Sequence, residues 1–345
     1  MGKTLVIGGA GFIGCNAAKR FMDKGDDVAV LDNLSRKGTR ENLEWLKKQG
    51  PVEAVVGDIR KYDEIKDFFR KHDDANTVLH MAAQVAVTTS VANPREDFEI
   101  NALGTFNVLE AMREHVPDAM LVFASTNKVY GGMENVGVCL RSNRYEYENL
   151  AKGVSESMPL DFHSPYGCSK GCADQYVRDY TRIYGLKATA LRQSCIYGYR
   201  QFGIEDQGWV AWFTIAAALE HPVVIYGDGK QVRDVLFIDD LLDAFELAAE
   251  DPEKHSGQIY NIGGGPNNTM SLLELIDFLE DLTGRRPEYS FDDWRPGDQK
   301  VFVADIGHAG ELMGWSPKVS PKEGVSKLYE WVGKNKQMFI DLEIC

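Results

Sequence analysis

Buried-strand and amphipathic-helix patterns alternate along the first half of the chain. Short apolar runs at residues 4–7, 27–31, 52–56, 77–80, 119–124 and 187–191 predict strands that are covered on both faces. Between them, residues 12–24, 40–49, 62–71, 94–114 and 166–184 carry helical periodicity. This βαβ rhythm predicts an α/β protein with a doubly wound parallel sheet.

The alternation of strand and helix patterns ends after about residue 196. Residues 223–226 and 258–262 predict short strands, whereas 272–283 and 322–334 predict amphipathic helices. We therefore predict a first domain over residues 1–195, which also receives part of 230–262, and a smaller lobe that is mainly residues 196–345. We expect this lobe at the C-terminal edge of the sheet, where ligands bind in open α/β folds. Residues 142–161 are polar and irregular, so we expect a surface excursion there.

Charge and composition narrow the class of ligand. The formal net charge of −14 argues against a nucleic-acid partner, because binding to phosphate backbones needs concentrated Lys and Arg. No apolar run approaches the roughly 18 residues of a membrane span, and no signal-peptide pattern is visible, so we expect a cytoplasmic protein. The six cysteines include no C-x-x-C pair and the seven histidines are scattered, so we predict no metal site.

A glycine run joins the first strand to the first helix. Gly8, Gly11 and Gly14 form a G-x-x-G-x-x-G pattern. Glycines at these positions allow a tight turn and a close approach of the backbone to a pyrophosphate, which then lies on the helix N-terminus. A strand, this turn and a helix together predict the dinucleotide-binding unit of a Rossmann-type domain.

Carboxylates end the second and third strands. Asp32 lies 18 residues after Gly14, where a carboxylate can accept hydrogen bonds from the adenosine ribose. Because a carboxylate there disfavours a ribose 2′-phosphate, we predict NAD as the cofactor, although Arg36 and Arg40 leave NADP open. Asp58 ends the third strand, where it can reach the adenine, or can serve only as a turn residue.

Tyr166 and Lys170 lie one helical turn apart at the start of the helix that follows the fifth strand. A tyrosine titrates near pH 10, so it acts as a base near neutrality only when nearby positive charge stabilises its phenolate. Thr126, at the end of the fifth strand, can bind the same substrate oxygen. Tyr62 and Lys66 have the same spacing, but we interpret them as surface residues of an outer helix.

These motifs resemble those of the extended short-chain dehydrogenase/reductases that act on nucleotide sugars, and most closely those of the CDP-paratose 2-epimerases. Besides the glycine run and Asp32, the matching runs are residues 80–84 (HMAAQ), 101–105 (NALGT), 125–131 (STNKVYG), 160–171 (LDFHSPYGCSKG), 200–202 (RQF), 206–209 (DQGW), 227–234 (GDGKQVRD) and 298–305 (DQKVFVAD). The resemblance covers essentially the whole chain. It implies a tightly held NAD and a CDP-sugar substrate.

The resemblance also implies roles for individual residues. Catalysis is assigned to Thr126, Tyr166 and Lys170, and substrate binding to Thr126, Asn127, Arg200, Gln201, Arg233 and Arg295. The cofactor site comprises Gly8, Gly11, Phe12, Ile13, Gly14, Asp32, Asn33, Ser35, Arg36, Asp58, Ile59, Ala82, Gln84, Asn101, Tyr166 and Lys170. Helices 94–114 and 166–184 are the pair that forms an intersubunit bundle in this superfamily, which implies a homodimer or homotetramer.

Three alternatives stay open at this point. A 4,6-dehydratase needs an acid and a base directly after Thr126, and Asn127-Lys128 is a poor pair for elimination. A 4-epimerase of UDP-hexoses needs only the same three catalytic residues. A non-enzymatic redox sensor on this fold would tolerate loss of the Tyr/Lys pair, which is intact here.

Overall fold

The computed structural model describes residues 2–205, 207–295 and 297–344, so that Met1, Asp206, Pro296 and Cys345 lie outside the described residues. The first half contains β1 (Lys3–Ile7), α1 (Phe12–Asp23), β2 (Asp27–Asp32), α2 (Thr39–Gln49), β3 (Val52–Val56), α3 (Tyr62–Lys71), β4 (Thr77–His80), α4 (Val87–Ala92), α5 (Pro94–Phe98), a π-helical turn (Glu99–Leu103), α6 (Gly104–His115), β5 (Met120–Thr126), a 3-10 turn (Asn127–Tyr130), β6 (Val138–Arg141), β7 (Arg144–Tyr147), α7 (Ser164–Tyr184) and β8 (Ala188–Gln193). The second half contains β9 (Ile196–Tyr197), α8 (Trp209–Leu219), β10 (Val223–Tyr226), β11 (Val232–Asp234), β12 (Leu236–Phe237), α9 (Ile238–Glu250), α10 (Pro252–His255), β13 (Ile259–Ile262), β14 (Thr269–Ser271), α11 (Leu272–Thr283), β15 (Tyr289–Asp292), β16 (Val301–Phe302), α12 (Gly307–Met313), α13 (Pro321–Lys334) and α14 (Lys336–Asp341).

A seven-stranded sheet forms the centre of the fold, in the order β13-β8-β5-β4-β1-β2-β3. Strand β1 pairs in parallel with both β2 and β4, and β3 and β5 extend the sheet in parallel on either side. The strand order therefore reverses between β1 and β4, which is where ligands bind in doubly wound folds. The predicted Rossmann-type parallel sheet is confirmed.

Apolar side chains from strands and helices make the core beside this sheet. Leu5 and Ile7 of β1 and Phe123 of β5 are fully buried in one cluster with residues of α3, α6 and α7, such as Phe69 and Met112. Burying each large apolar side chain contributes roughly 1.5–3 kcal/mol. These alternating elements match the predicted helices and strands to within a few residues.

Contact density divides the chain into two compact units. The first unit comprises Met1–Val129, Phe162–Arg192 and Leu242–Tyr260, and the second comprises Tyr130–Asp161, Gln193–Leu241 and Asn261–Cys345. The segment Tyr130–Asp161, which the sequence analysis assigned to the first domain, groups with the second unit. The first unit also includes Leu242–Tyr260, which lies within the predicted range 230–262.

The second unit is built from small sheets. A three-stranded sheet has the order β14-β11-β16, while β10 pairs with β15, β12 with β9, and β6 with β7. The β6–β7 hairpin packs Tyr145 and Tyr147 against a buried cluster of Val232, Val301 and Val303. The prediction of an irregular excursion over 142–161 was therefore wrong at β7, whose aromatic residues cover this cluster.

Residues 2–205, 207–295 and 297–344 contain neither a membrane-spanning helix nor a cluster of metal-ligating side chains. Every helix in these ranges is too short or too polar to span a lipid bilayer. The same ranges hold no group of three or more His, Cys, Asp or Glu side chains that could ligate one metal ion.

Candidate active site

In and after the turn that follows β1, Gly8 and Gly14 lie directly against backbone atoms of other residues. Gly8 has a φ of +84°, and a Cβ on it would lie 2.5 Å from the Ala82 backbone nitrogen. A Cβ on Gly14 would lie 2.0 Å from the Gly8 carbonyl oxygen. Side chains at these two positions would displace the backbone, so glycine is required for the path of the turn.

The first turn of α1 can receive an anion. Gly11, its N-cap residue, has extended backbone and supplies no side-chain cap. A Cβ on Gly11 would meet one atom within 4 Å, the Gly8 carbonyl oxygen at 3.3 Å. The helix therefore begins, at Phe12 and Ile13, with backbone N–H groups that no side chain caps and with its positive dipole end. Such a helix start is suited to binding a pyrophosphate, as the sequence predicts.

Asp32 ends β2 beside this turn. One of its carboxylate oxygens accepts a hydrogen bond from the Ala10 nitrogen at 3.0 Å, and the other from the Leu34 nitrogen at 2.8 Å. Burial raises the pKa of Asp32, whereas these backbone donors act in the opposite direction. The carboxylate is thereby fixed where a ribose is expected, and with the glycine turn it fits a bound dinucleotide.

The ends of β2 and β3 meet at a second carboxylate. Asp58 accepts hydrogen bonds from Asn33 at 3.1 Å and from Arg60 Nη2 at 2.6 Å. These bonds, above all those from Arg60, lower the pKa of Asp58 to about 2. The neighbouring Ile59 is buried, with its Cδ1 2.5 Å from where a Cβ on Gly104 would lie. Three predicted cofactor residues therefore lie together here.

The loop after β2 carries two more residues of the predicted cofactor site. Ser35 donates its backbone N–H to the Asn33 side-chain oxygen at 3.1 Å. Arg36 is exposed, and its charge acts on both Asp32 and Tyr166. The loop therefore places the Arg36 guanidinium near the Asp32 carboxylate and near Tyr166 of α7.

Thr126, Tyr166 and Lys170 come together where β5 ends and α7 begins. Pro165 lies in the first turn of α7, where its missing N–H has no helical acceptor to lose. The Tyr166 backbone nitrogen donates to the Ser90 hydroxyl at 3.1 Å, and a hydrogen bond joins the hydroxyls of Tyr166 and Thr126. Lys170 Nζ donates to the Ala124 carbonyl at 2.7 Å, so the structure brings all three predicted residues to the end of β5.

Burial controls the protonation of this group. Burial raises the pKa of Tyr166 to about 12, and the hydrogen bond between Tyr166 and Thr126 opposes that shift. Burial also lowers the pKa of Lys170 to about 7, against the attraction of Asp174 and Asp97. A tyrosine with so high a pKa acts as a base near neutrality only if positive charge lies beside its hydroxyl. The oxidised nicotinamide ring carries such a charge, so these residues fit NAD.

The residues after Thr126 form a short 3-10 turn. The Thr126 hydroxyl donates to the Asn127 side-chain oxygen at 3.3 Å and accepts from the Lys128 backbone nitrogen at 3.2 Å. Asn127 is therefore adjacent to the Thr126 hydroxyl, and its contact with the sugar stays a prediction.

A buried polar network, which the sequence analysis did not predict, lies behind the catalytic turn. Asp97 is fully buried and accepts hydrogen bonds from Gln84 at 2.9 Å and Asn101 at 3.2 Å. Its second oxygen accepts from the Ser169 hydroxyl at 2.5 Å. Gln84 and Asn101, predicted to bind the cofactor, therefore direct these side-chain bonds into the protein. Asn101 lies in the π-helical turn, a feature that is frequent at functional sites.

A buried ion pair supports the end of β5. Arg192 donates to Asp174 through Nη2 at 2.9 Å and through Nε at 3.1 Å, and both side chains are almost completely buried. The Ser125 hydroxyl donates to the same carboxylate at 2.6 Å. Because Ser125 precedes Thr126, the pair fixes the strand end that carries the catalytic hydroxyl. The signal in the sequence was an arginine inside the apolar run of β8.

The second unit contains the residues predicted to bind the nucleotide. Gln201 is buried, and its side-chain oxygen accepts from the Gly198 nitrogen at 3.3 Å. Arg200 has a φ of +65°, and its guanidinium carbon lies 5.8 Å from the centre of the Trp331 ring. Arg200 and Gln201 therefore lie in one loop, and the hydrogen bond between Gln201 and Gly198 holds its backbone.

The other two predicted arginines lie on different elements of this unit. Arg233 is a buried residue of β11, and its charge opposes the rise that burial causes in the pKa of Tyr147. Arg295 stacks on Tyr226, with its guanidinium carbon 3.7 Å from the ring centre, and donates to the Glu205 carbonyl at 3.3 Å. Whether these arginines bind a diphosphate stays a prediction.

Comparison with known proteins gives consistent matches over the whole chain. The profile of the NAD dependent epimerase/dehydratase family matches residues 4–263. A CDP-paratose 2-epimerase of Salmonella typhi is 46% identical over 334 residues, which are 95% of this chain and 98% of that protein.

Solved structures agree with this match. The UDP-glucose 4-epimerase of Thermotoga maritima, solved with UDP-glucose, is 32% identical, with a TM-score of 0.83 over 97% of this chain and 99% of that chain. A dTDP-glucose 4,6-dehydratase of Streptomyces venezuelae, solved with NAD, is 28% identical, with a TM-score of 0.84 over 99% of each chain. The chain therefore belongs to the NAD-dependent epimerase/dehydratase family, within the extended short-chain dehydrogenase/reductases, and its cofactor is NAD.

Proposed function

We propose that this protein is a 2-epimerase of a CDP-sugar, of the CDP-paratose to CDP-tyvelose type, that works by transient oxidation at C2. The observation that carries the proposal is the 46% identity to a CDP-paratose 2-epimerase across 95% of the chain. The residues after Thr126 support it, because Asn127-Lys128 lacks the acid and base that a 4,6-dehydratase needs for elimination. A 4-epimerase of UDP-hexoses is the second candidate, favoured by the similarity to the Thermotoga maritima enzyme.

The chemistry of the sugar requires oxidation. In a CDP-3,6-dideoxyhexose the C2 hydrogen is not adjacent to a carbonyl, so C2 cannot be inverted by simple deprotonation. Oxidation of the C2 hydroxyl makes that carbon planar, and reduction from the opposite face inverts it. When bound, NAD supplies the hydride acceptor and donor for this cycle.

Three side chains of the first unit control the proton. Tyr166 takes the proton of the C2 hydroxyl during oxidation and returns it during reduction. The Lys170 ammonium lowers the pKa of Tyr166 and holds the nicotinamide ribose. Thr126, which hydrogen-bonds Tyr166, orients the substrate oxygen.

Residues of the second unit bind the nucleotide in this proposal. Arg233 and Arg295 hold the diphosphate, since guanidinium groups bind phosphate oxygens through paired hydrogen bonds. Arg200 and Gln201 contact the nucleoside, and Asn127 of the first unit contacts the sugar. The first unit is thus the cofactor domain and the second the substrate lobe.

Nuclear magnetic resonance of the product tests the proposed function. The purified protein is incubated with CDP-paratose, CDP-glucose, UDP-glucose and UDP-galactose in parallel. We expect inversion at C2 of a CDP-sugar and no change at C4. Inversion at C4 of the UDP-hexoses without any reaction of the CDP-sugars would establish the 4-epimerase instead.

We expect NAD to stay bound through purification. Because the catalytic cycle begins and ends with the oxidised cofactor, the protein does not need to release NAD between turnovers. Protein passed through gel filtration should therefore contain NAD by absorbance and by mass spectrometry after acid release, and should need no added nucleotide for activity. Strict dependence on added NADPH, with net consumption, would indicate a reductase.

We also propose that the protein is a homodimer or homotetramer formed through α5–α6 and α7. Phe98 and Tyr176 on these helices are 54% and 45% exposed, and Phe106 packs its ring against Tyr176 at 5.7 Å. Exposed aromatic side chains on neighbouring helices are typical of a protein–protein contact. A two-fold interface of this kind joins the same face of each subunit.

Light scattering tests the assembly. We expect a mass of at least twice that of the chain at micromolar concentration, and a smaller mass for the variant Tyr176→Glu, which buries a charge in the contact. Ile340→Glu on α14 is the matched control, because Ile340 is also exposed but lies on another helix. A monomeric wild-type protein would contradict the proposed interface.

A further inference from the structure

Asp97, in the first unit, has no role in the proposed function. It lies in α5, immediately before the π-helical turn, and its side chain is fully buried. A buried carboxylate is unfavourable unless hydrogen bonds or a cation compensate its charge. Its neighbours therefore determine what it does.

The hydrogen-bond donors to Asp97 are neutral. They are the amide groups of Gln84 and Asn101 and the hydroxyl of Ser169. Ser169 is the residue directly before Lys170, and its hydroxyl also lies 3.2 Å from the Tyr166 carbonyl oxygen. Asp97 is thus joined to the helical turn that carries both catalytic groups.

Two carboxylates, first Asp174 and then Asp97, act to raise the pKa of Lys170. Asp174, on the same helix as Lys170, is held by a two-point contact with Arg192 of β8. His80 of β4 is neutral near pH 7, because burial lowers its pKa to about 3. Arg36, from the loop after β2, acts on Tyr166.

On the remaining side of α5 the charged groups lie near the protein surface. Arg60 is held by Asp58, and its second contact is with Glu96 at 3.6 Å. Among the described groups, Lys170 is therefore the cation on which the charge of Asp97 acts.

We propose that Asp97 is a positioning residue for the catalytic tyrosine and lysine: it fixes their helical turn through Ser169, and its charge biases the protonation of both. A negative charge at this place favours the ammonium form of Lys170 and disfavours the phenolate of Tyr166. Removing the charge lowers both pKa values. The inference rests on the proposed function only in so far as these two groups act in turnover.

The variant Asp97→Asn tests the charge without large change in shape. In protein with 13C-labelled lysine, the Lys170 signal is assigned by comparison with Lys170→Arg and followed by NMR against pH. We expect its midpoint to fall by roughly one pH unit in Asp97→Asn. Glu96→Gln, which removes a charge from the partly exposed neighbour, should leave the midpoint unchanged. A midpoint that stays or rises in Asp97→Asn would overturn the proposal.

The pH profile of kcat gives the second readout. Because both pKa values fall, both limbs of the profile should move to lower pH in Asp97→Asn, whereas a purely structural defect would lower the profile without moving it. Movement of neither limb would count against the proposal. If the wild-type protein fails to epimerise any CDP-sugar, the proposed function fails, while the NMR titration still decides the role of Asp97.

Ser169→Ala covers the case in which Asp97→Asn does not fold. It removes the hydrogen bond to Asp97 and keeps the charge, so we expect kcat to fall roughly tenfold while the Lys170 midpoint stays in place. An unchanged kcat would overturn the positioning role.

Discussion

Replacing Tyr166 with Phe is expected to lower kcat by roughly 10²–10⁴-fold, the range that a general acid or base contributes. The hydroxyl is the only group removed, and in the proposed mechanism it is the group that receives the substrate proton beside Thr126. NAD should remain bound, because we assign the pyrophosphate and ribose contacts to the glycine turn and Asp32. The measurement is kcat with the preferred nucleotide sugar, together with the NAD content of the purified variant.

Tyr62→Phe is the matched control for this experiment. Tyr62 and Lys66 share the spacing of the catalytic pair, but both bind Glu114 at the surface, at 3.0 Å and 2.7 Å. We expect this variant to keep the wild-type kcat. A Tyr166→Phe variant with full activity would remove the hydroxyl from the mechanism and leave the fold assignment untouched.

Replacing Arg192 with Met is expected to destabilise the protein by about 3–5 kcal/mol, because it leaves the carboxylate of Asp174 buried without its cation. Arg192 and Asp174 are 2% and 0% exposed, so water cannot solvate the remaining charge. The free energy of unfolding by urea is the measurement, and thermal unfolding should show a lower midpoint. The Ser125 contact that leads to Thr126 would be disturbed as well.

Arg113→Met provides the comparison at the surface. Arg113 also makes a two-point contact with a carboxylate, that of Glu110, but in solvent and within one helical turn. Exposed pairs contribute little because water screens them, so the unfolding midpoint should hardly change. Equal effects of the two substitutions would show that burial is not what makes the Arg192 pair important.

Local sequence patterns were sufficient for the sheet and for the residues that we propose as the centre of the site. The apolar runs predicted the strands because a buried parallel strand has a short uninterrupted signature. Gly8 and Gly14 were recognisable because a tight turn with backbone contacts admits no side chain. Tyr166 and Lys170 were identified by their spacing combined with their place at the start of α7, which separated them from Tyr62 and Lys66.

What the sequence did not predict depends on contacts between distant segments. Asp97 and Ser169 are 72 residues apart, and nothing in either segment indicates that the other lies beside it. The Arg192–Asp174 pair joins a strand to the preceding helix. The β6–β7 hairpin was missed because its stabilising partners, Val232 and Val301, lie far along the chain.

Isotope labelling at C2 distinguishes direct oxidation of that carbon from proton exchange with water. A CDP-sugar carrying deuterium at C2 is incubated with the protein in ordinary water, and the product is examined by NMR and mass spectrometry. If C2 is oxidised by hydride transfer and reduced by return of the same hydrogen, the product is inverted at C2 and retains its deuterium. If the deuterium is lost to water, a proton has been exchanged at C2, and inversion by direct oxidation at that carbon is contradicted.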